Sequence, residues 1–281
     1  MGPYVRILRL QDEFIQFGFA IAAGIFIHNR SWHIFFWALA TTFLSMSAFI
    51  LNEMTDRIDT DVHSWNPVHI RAAHDRLNTR IVEVLFVVIS TIGLVMSFFL
   101  RLFWWGLIMY LVGVAYSLEP IRLKKRVVLD ILAQLIVWFI VPFTAPVWGV
   151  ADPNLTIAIV VIISFISWSI FYPYQIADLT ADKKAHLHST HVLLGLRRSL
   201  QAGLALGVVG LVLYVLFGVY RWAIWSGPLP VLCAATVYLY VRWLRMGDGK
   251  RVQKALEQYV RAVKPLFHIL VPYLLIVWYF V

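Results

Sequence analysis

Nine stretches of 17 to 22 residues, near 11–28, 32–51, 80–100, 102–118, 128–148, 154–174, 199–219, 222–243 and 264–281, are dominated by apolar residues and divided by segments rich in charge, Pro or Gly. A helix needs about 20 such residues to cross the hydrocarbon core of a bilayer, where each backbone N–H and C=O must find its partner inside the protein. The pattern therefore predicts an all-α, polytopic integral membrane protein with nine transmembrane helices. With 61% hydrophobic and 14% charged residues, and a mean hydropathy of +0.78, the chain does not have the make-up of a soluble domain. Twelve Trp and twelve Tyr suit aromatic belts at two interfaces, and a single cysteine, Cys233, excludes an internal disulfide framework or a Cys-rich metal site.

Charge sets the orientation. Lys and Arg near helix ends prefer the cytoplasmic side. With the N-terminus inside, 21 of the 24 basic residues fall in that terminus and the loops after spans two, four, six and eight, whereas only Arg30, Arg101 and Arg221 fall opposite. We expect one transmembrane domain over residues 1–281, with a cytoplasmic N-terminus, an outer C-terminus and a place in the cell membrane. The basic N-terminal stretch shows no small-residue cleavage site and reads as a first helix that stays.

The acids sort to the same inner face, Asp152 being the clear exception. "NEMTDRIDTD" (52–61) opens the segment 52–79 after span two, and "YPYQIADLTADKKAH" (172–186) opens the segment 174–198 after span six. Each holds a polar pair four apart, Asn52 with Asp56 and Asp178 with Asp182. At ~100° per residue such a pair shares one helix face. Asp59 lies roughly 60° from Asp56 on a continued helix and Asp61 roughly 140° away, so Asp59 is the favoured third acid. Two facing carboxylate clusters repel unless a cation lies between them, and ligands of this all-oxygen kind suit Mg²⁺ bridging to substrate phosphates. Between the acidic elements, "AYSLEPIRLKKR" (115–126) brings Arg122, Lys124, Lys125 and Arg126 to the same face. Together with Arg57, Lys183 and Lys184 they could neutralise a diphosphate.

These residues give the chain its resemblance to the UbiA-type intramembrane prenyltransferases, which extends over nearly the whole sequence. That family carries Asn-Asp-x-x-Asp-x-x-x-Asp after helix two and Asp-x-x-Asp-x-x-x-Asp after helix six. Its segment after helix four resembles Tyr116, Ser117, Pro120, Arg122 and Lys124 here. Asn52 and Asp56 match the first acidic element, and Asp178 and Asp182 the second. The departures are Glu53 for the second Asp, Thr60 at the last position between Asp59 and Asp61, Gln175 for the first Asp of the second element, and no Lys/Arg-Arg-Pro segment.

The resemblance implies a UbiA-like helical bundle that ionises a prenyl diphosphate with Mg²⁺ and transfers the prenyl group to a small-molecule or lipid acceptor. Asn52, Asp56, Asp59, Asp178 and Asp182 would hold the metal. Arg57, Arg122, Lys124, Lys125 and Lys183 would bind the diphosphate. Asp56, Asp178, Asp182, Arg122 and Tyr116 would carry catalysis, on the cytoplasmic side. Tyr116, Trp168, Tyr172 and Tyr174 stand near helix ends where aromatic faces could steady a carbocation. Histidines 63, 69, 74, 186, 188 and 191 read as solvated loop residues.

Some family members resemble terpene cyclases, which use no acceptor. CDP-alcohol phosphotransferases fit less well, since their Asp-Gly-x-x-Ala-Arg segment is absent. A transporter should carry acids near the bilayer midplane, and here Glu83 and Asp130, the nearest exceptions, lie a few residues inside one face. Nucleic-acid binding is not expected from a basic excess distributed as topology demands. The stretch 241–264 reads partly as a basic amphipathic helix resting on anionic lipid headgroups, with a cap over the active site as the alternative.

Overall fold

The computed structural model describes residues 14–59, 78–217 and 228–280. Among them the chain is all helical: α1 (Phe14–Phe26), α2 (Trp32–Asp59), α3 (Thr79–Phe99), α4 (Phe103–Ser117), α5 (Leu129–Val147), α6 (Pro153–Lys184), α7 (Thr190–Leu216), α8 (Pro228–Arg245) and α9 (Gly249–Phe280), with a 3₁₀ turn at Leu123–Lys125. Helices α2, α3, α5, α6 and α7 each contain a segment long and apolar enough to cross a membrane. Their outward faces fit that role. On α3, Val84, Val88, Ile92, Val95 and Phe99 are exposed, an inside-out pattern that only a lipid surround makes favourable.

The elements run further than hydropathy marks them. Helix α2 continues eight residues past Leu51 and α6 ten past Tyr174, so both acidic elements are helical extensions rather than loops at their start. Helix α7 begins at Thr190, nine residues before the apolar run, and breaks at Gly195 (φ 70°, ψ 173°). Only Gly adopts such backbone without a steric cost. Helix α9 joins the basic stretch and the last apolar run into one helix of 32 residues.

Prolines shape the middle of the bundle. Pro142 has no N–H for the carbonyl one turn back, and Ile136–Ile140 just before it widens into a π turn. Pro173 lies inside α6 and likewise frees the Ser169 carbonyl, which accepts a hydrogen bond from Tyr240 Oη of α8 at 3.0 Å. The Ile170 carbonyl accepts from Tyr259 Oη of α9 at 2.9 Å. Neighbouring helices thus repair the broken ladder, and α6 continues to its acidic end. Close approach of α6, α7 and α8 depends on small residues. A Cβ added at Gly203 would meet the Tyr240 ring, and one at Gly207 would lie 2.6 Å from Val237 Cγ2.

The first half of α9 corrects one expectation. Val252, Leu256, Tyr259, Val260 and Val263 form a buried stripe, and Gln253 Nε2 donates to the Ala177 carbonyl of α6 at 2.6 Å. Its apolar face packs into the bundle beside the second acidic element, because the stripe at helical spacing finds α6 rather than lipid. Lys250, Arg251, Lys254 and Arg261 stay exposed.

Candidate active site

The ends of α2, α4 and α6 and the starts of α5 and α7 meet at one end of the bundle. From α2, Asn52 Nδ2 donates to Asp56 Oδ2 at 2.6 Å, so the pair shares one face of the helix. The turn after α4 brings in the cation. Lys124 is buried, and its Nζ pairs with Asp56 Oδ1 while donating to Thr55 Oγ1 at 3.1 Å and Asn52 Oδ1 at 3.4 Å. Ser117 Oγ also donates to Asn52 Oδ1, at 3.2 Å. An ammonium therefore lies among the oxygens of the first acidic element, much as a metal cation would.

Arg122 is buried in the same turn and adopts φ 34°, ψ 67°. For a residue with a Cβ this left-handed conformation costs about 1–3 kcal/mol and persists where the surroundings over-determine it. Its guanidinium donates to Glu119 Oε1 at 3.2 Å, as does Lys125 Nζ. Arg122 and Lys125 together hold the exposed Glu119 carboxyl below the usual carboxylate range.

Tyr116, the last tyrosine of α4, accepts a hydrogen bond from Gln134 Nε2 of α5 at 2.7 Å. Its neighbour Ser117 bonds Asn52 of α2, and Gln134 lies one turn along α5 from Asp130. Tyr116 thus stands between the first acidic element and the start of α5. Asp182 Oδ2 is bound by His191 Nε2 at 2.6 Å, and Asp178 lies one turn earlier on α6. Lys183 is exposed and roughly 100° round the helix from Asp182, so it does not join that pair. The side chains of Arg57 and Asp59 lie outside the described residues, as do Asp61, His63, His69 and His74.

Two residues that sequence reasoning set aside are central here. Asp130, read as an acid just inside the membrane face, is buried and accepts from Thr190 N at 2.8 Å and Thr190 Oγ1 at 2.5 Å. His191, read as a solvated loop histidine, is also buried, because α7 starts early enough to carry it in. The aromatic residues divide. Trp168 and Tyr172 are buried with ring centroids 5.9 Å apart, and Tyr174 Oη donates to the Val260 carbonyl of α9 at 3.4 Å. An apolar wall forms nearby where Trp138 meets Phe49 at 6.2 Å and Phe171 at 6.2 Å.

The hard oxygen donors at this end of the bundle are those of Asn52, Asp56, Asp178 and Asp182, a set suited to a divalent ion. Among the described residues no three His, Cys, Asp or Glu side chains form a ready metal cage. Mg²⁺ does not require one, since it commonly uses one or two carboxylates plus water and phosphate oxygens. The residues fit the ion on those terms.

Residues 14–268 match the model of the UbiA prenyltransferase family. No sequence match is found among curated proteins. Among solved structures, a UbiA homolog from Archaeoglobus fulgidus bound to GPP and Mg²⁺ is similar, with a TM-score of 0.74 at 22% identity over 98% of this chain and 99% of that one. An apo UbiA homolog from Aeropyrum pernix K1 gives a TM-score of 0.65 at 19% identity over 96% and 98%. A structure of digeranylgeranylglyceryl phosphate synthase gives 0.59 at 15% identity over 96% and 97%.

Proposed function

Because this chain belongs to the UbiA prenyltransferase family, we propose that it ionises a prenyl diphosphate inside the membrane and transfers the prenyl group to an acceptor. The observation that carries this reading is the pairing of buried Lys124 with Asp56 and Asn52 of the first acidic element, with Arg122 buried in the same turn. A carboxylate-rich site with basic residues at its edge suits a polyanion that arrives with divalent cations.

Asn52, Asp56, Asp178 and Asp182 would hold Mg²⁺, with Asp59 as the third acid of the first element; the fold neighbours bound to GPP or DMAPP with Mg²⁺ support that choice of ion. When bound, the ion withdraws charge from the diphosphate oxygens and makes them a better leaving group. Arg122 and Lys124 meet the charge that develops as the C–O bond breaks and its electron pair passes to the diphosphate. Lys124 leaves Asp56 to do so, and Arg57, Lys125 and Lys183 complete the basic rim. The allylic cation is flanked by Tyr116, and the isoprenoid tail lies along the Phe49, Trp138 and Phe171 wall. The acceptor nucleophile attacks the cation and loses a proton. Water is kept out by lipid and by the first half of α9, which covers α6 beside Ala177. The reading includes nine spans in one domain over residues 1–281, a cytoplasmic N-terminus and active site, an outer C-terminus, and residence in the cell membrane. Its partners are a prenyl diphosphate, an acceptor small molecule or lipid, and membrane lipids, without nucleic acid.

The test is diphosphate release by purified protein in detergent, supplied with Mg²⁺ and prenyl diphosphates of several lengths, with and without a panel of acceptors. Release that depends on an acceptor is expected, and Asp56→Ala and Asp182→Ala should each abolish it. Acceptor-free formation of a cyclic hydrocarbon would replace transfer by cyclisation. Full turnover in both variants would overturn the site.

A further inference from the structure

The segment between α6 and the body of α7 is built around His191. Its Nε2 lies 2.6 Å from Asp182 Oδ2, and Ser189 Oγ lies 3.3 Å from the imidazole. The backbone carbonyl of His191 accepts from Ser199 Oγ at 3.3 Å. The preceding residue is fixed more firmly still. Thr190 donates twice to buried Asp130, at 2.8 Å and 2.5 Å, and its Oγ1 accepts from Val128 N at 2.7 Å. Val128 holds φ 70°, an unfavourable conformation for a β-branched residue that this bonding maintains. At Gly195 the backbone leaves the helical region, so the turn from Thr190 is aimed independently of the rest of α7. Three elements thus determine where one imidazole stands, and that imidazole touches a carboxylate of the candidate metal site.

We propose that His191 is a positioning residue for Asp182. Resting on the reading of Asp182 as a metal-binding residue, the assignment gives the imidazole N–H one carboxylate oxygen, Oδ2, and leaves Oδ1 to the metal. A free carboxylate rotates and must lose that freedom on binding. A carboxylate held at one oxygen by a buried donor presents the other in a fixed direction, and outer partners of this kind change metal affinity by about 10–100-fold when removed. The Asp130–Thr190 bonds act one step further out, holding the turn that carries the imidazole.

The test uses Mn²⁺ alone, titrated into the full-length detergent-purified protein without substrate, with free Mn²⁺ read by electron paramagnetic resonance. His191→Leu should weaken binding about 10–100-fold. His191→Gln, whose amide N–H reaches the position of Nε2, should stay within about threefold of wild type, and His191→Asn, one carbon shorter, should behave like the leucine variant. At saturating Mg²⁺ the turnover of His191→Leu should recover, with the deficit confined to the Mg²⁺ concentration giving half-maximal rate. Asp182→Ala is the control. If it loses Mn²⁺ while His191→Leu keeps wild-type affinity, the positioning role is overturned and the metal site stands. If Asp182→Ala itself binds as wild type, the metal-site reading fails and the positioning role fails with it. Should the leucine variant not fold, equal affinities for His191→Gln and His191→Asn would overturn the proposal.

Discussion

Replacing Asp56 by alanine should destabilise the protein more than replacing Asp56 and Lys124 together. The side chains of this ion pair are 5% exposed at Lys124 and 14% at Asp56. Removing one member of a buried pair costs about 3–5 kcal/mol, because the remaining charge stays in a poorly solvating site, whereas replacing both by apolar groups is often near neutral. Asp56 keeps some solvent contact, so the lower end applies, about 3 kcal/mol for Asp56→Ala. Among the described residues, Lys124 in that variant keeps the neutral oxygens of Asn52 and Thr55. Adding Lys124→Met removes the stranded ammonium and should recover about 2 kcal/mol, within the usual coupling range for contacting residues. At roughly 2–4 °C per kcal/mol, Asp56→Ala should unfold about 6–12 °C below wild type and the double variant well above Asp56→Ala. Thermal unfolding in detergent, followed by tryptophan fluorescence with a chelator present, separates this effect from metal binding. A double variant no more stable than Asp56→Ala would refute the account of the pair.

Two further outcomes are expected. Gly207→Val forces a side chain into Ser169 and Val237 and should cost about 1–3 kcal/mol of stability through overpacking, while Gly249→Ala, whose nearest neighbour is 3.7 Å away, should leave the unfolding temperature unchanged. Chelation by EDTA should stop diphosphate release, and Mg²⁺ should restore it, because the basic residues alone cannot neutralise the leaving group.

Hydropathy revealed the helices readily because a lipid-facing surface must be apolar whatever it packs against, and α3 and α4 end within a residue of their apolar runs. It failed where a helix leaves the hydrocarbon. The polar turns that extend α2 to Asp59 and α6 to Lys184 look like loop sequence, and only the four-residue spacing of Asn52 with Asp56 and of Asp178 with Asp182 betrays a helix there. That same spacing made the first acidic element legible before its contacts were known. Lys124 was legible as a basic residue but not as the partner of Asp56, since a turn whose geometry depends on left-handed Arg122 carries no periodic signal. His191 and Asp130 were hidden for a related reason. Asp130 takes its contacts from Thr190, and His191 is buried by the early start of α7, in a stretch that reads as an ordinary loop. The basic stretch before Pro265 carried a clear amphipathic pattern, yet a stripe made for α6 and a stripe made for lipid have the same periodicity.

On the proposed function, the acidic ends of α2 and α6 act on one diphosphate through shared divalent cations. Electron–nuclear double resonance on Mn²⁺-loaded protein, with a non-ionisable thio analogue of a prenyl diphosphate, reads contact between metal and phosphorus directly. A ³¹P coupling should be present in the wild type and lost in Asp56→Ala and in Asp182→Ala separately. A coupling that survives either substitution would contradict it.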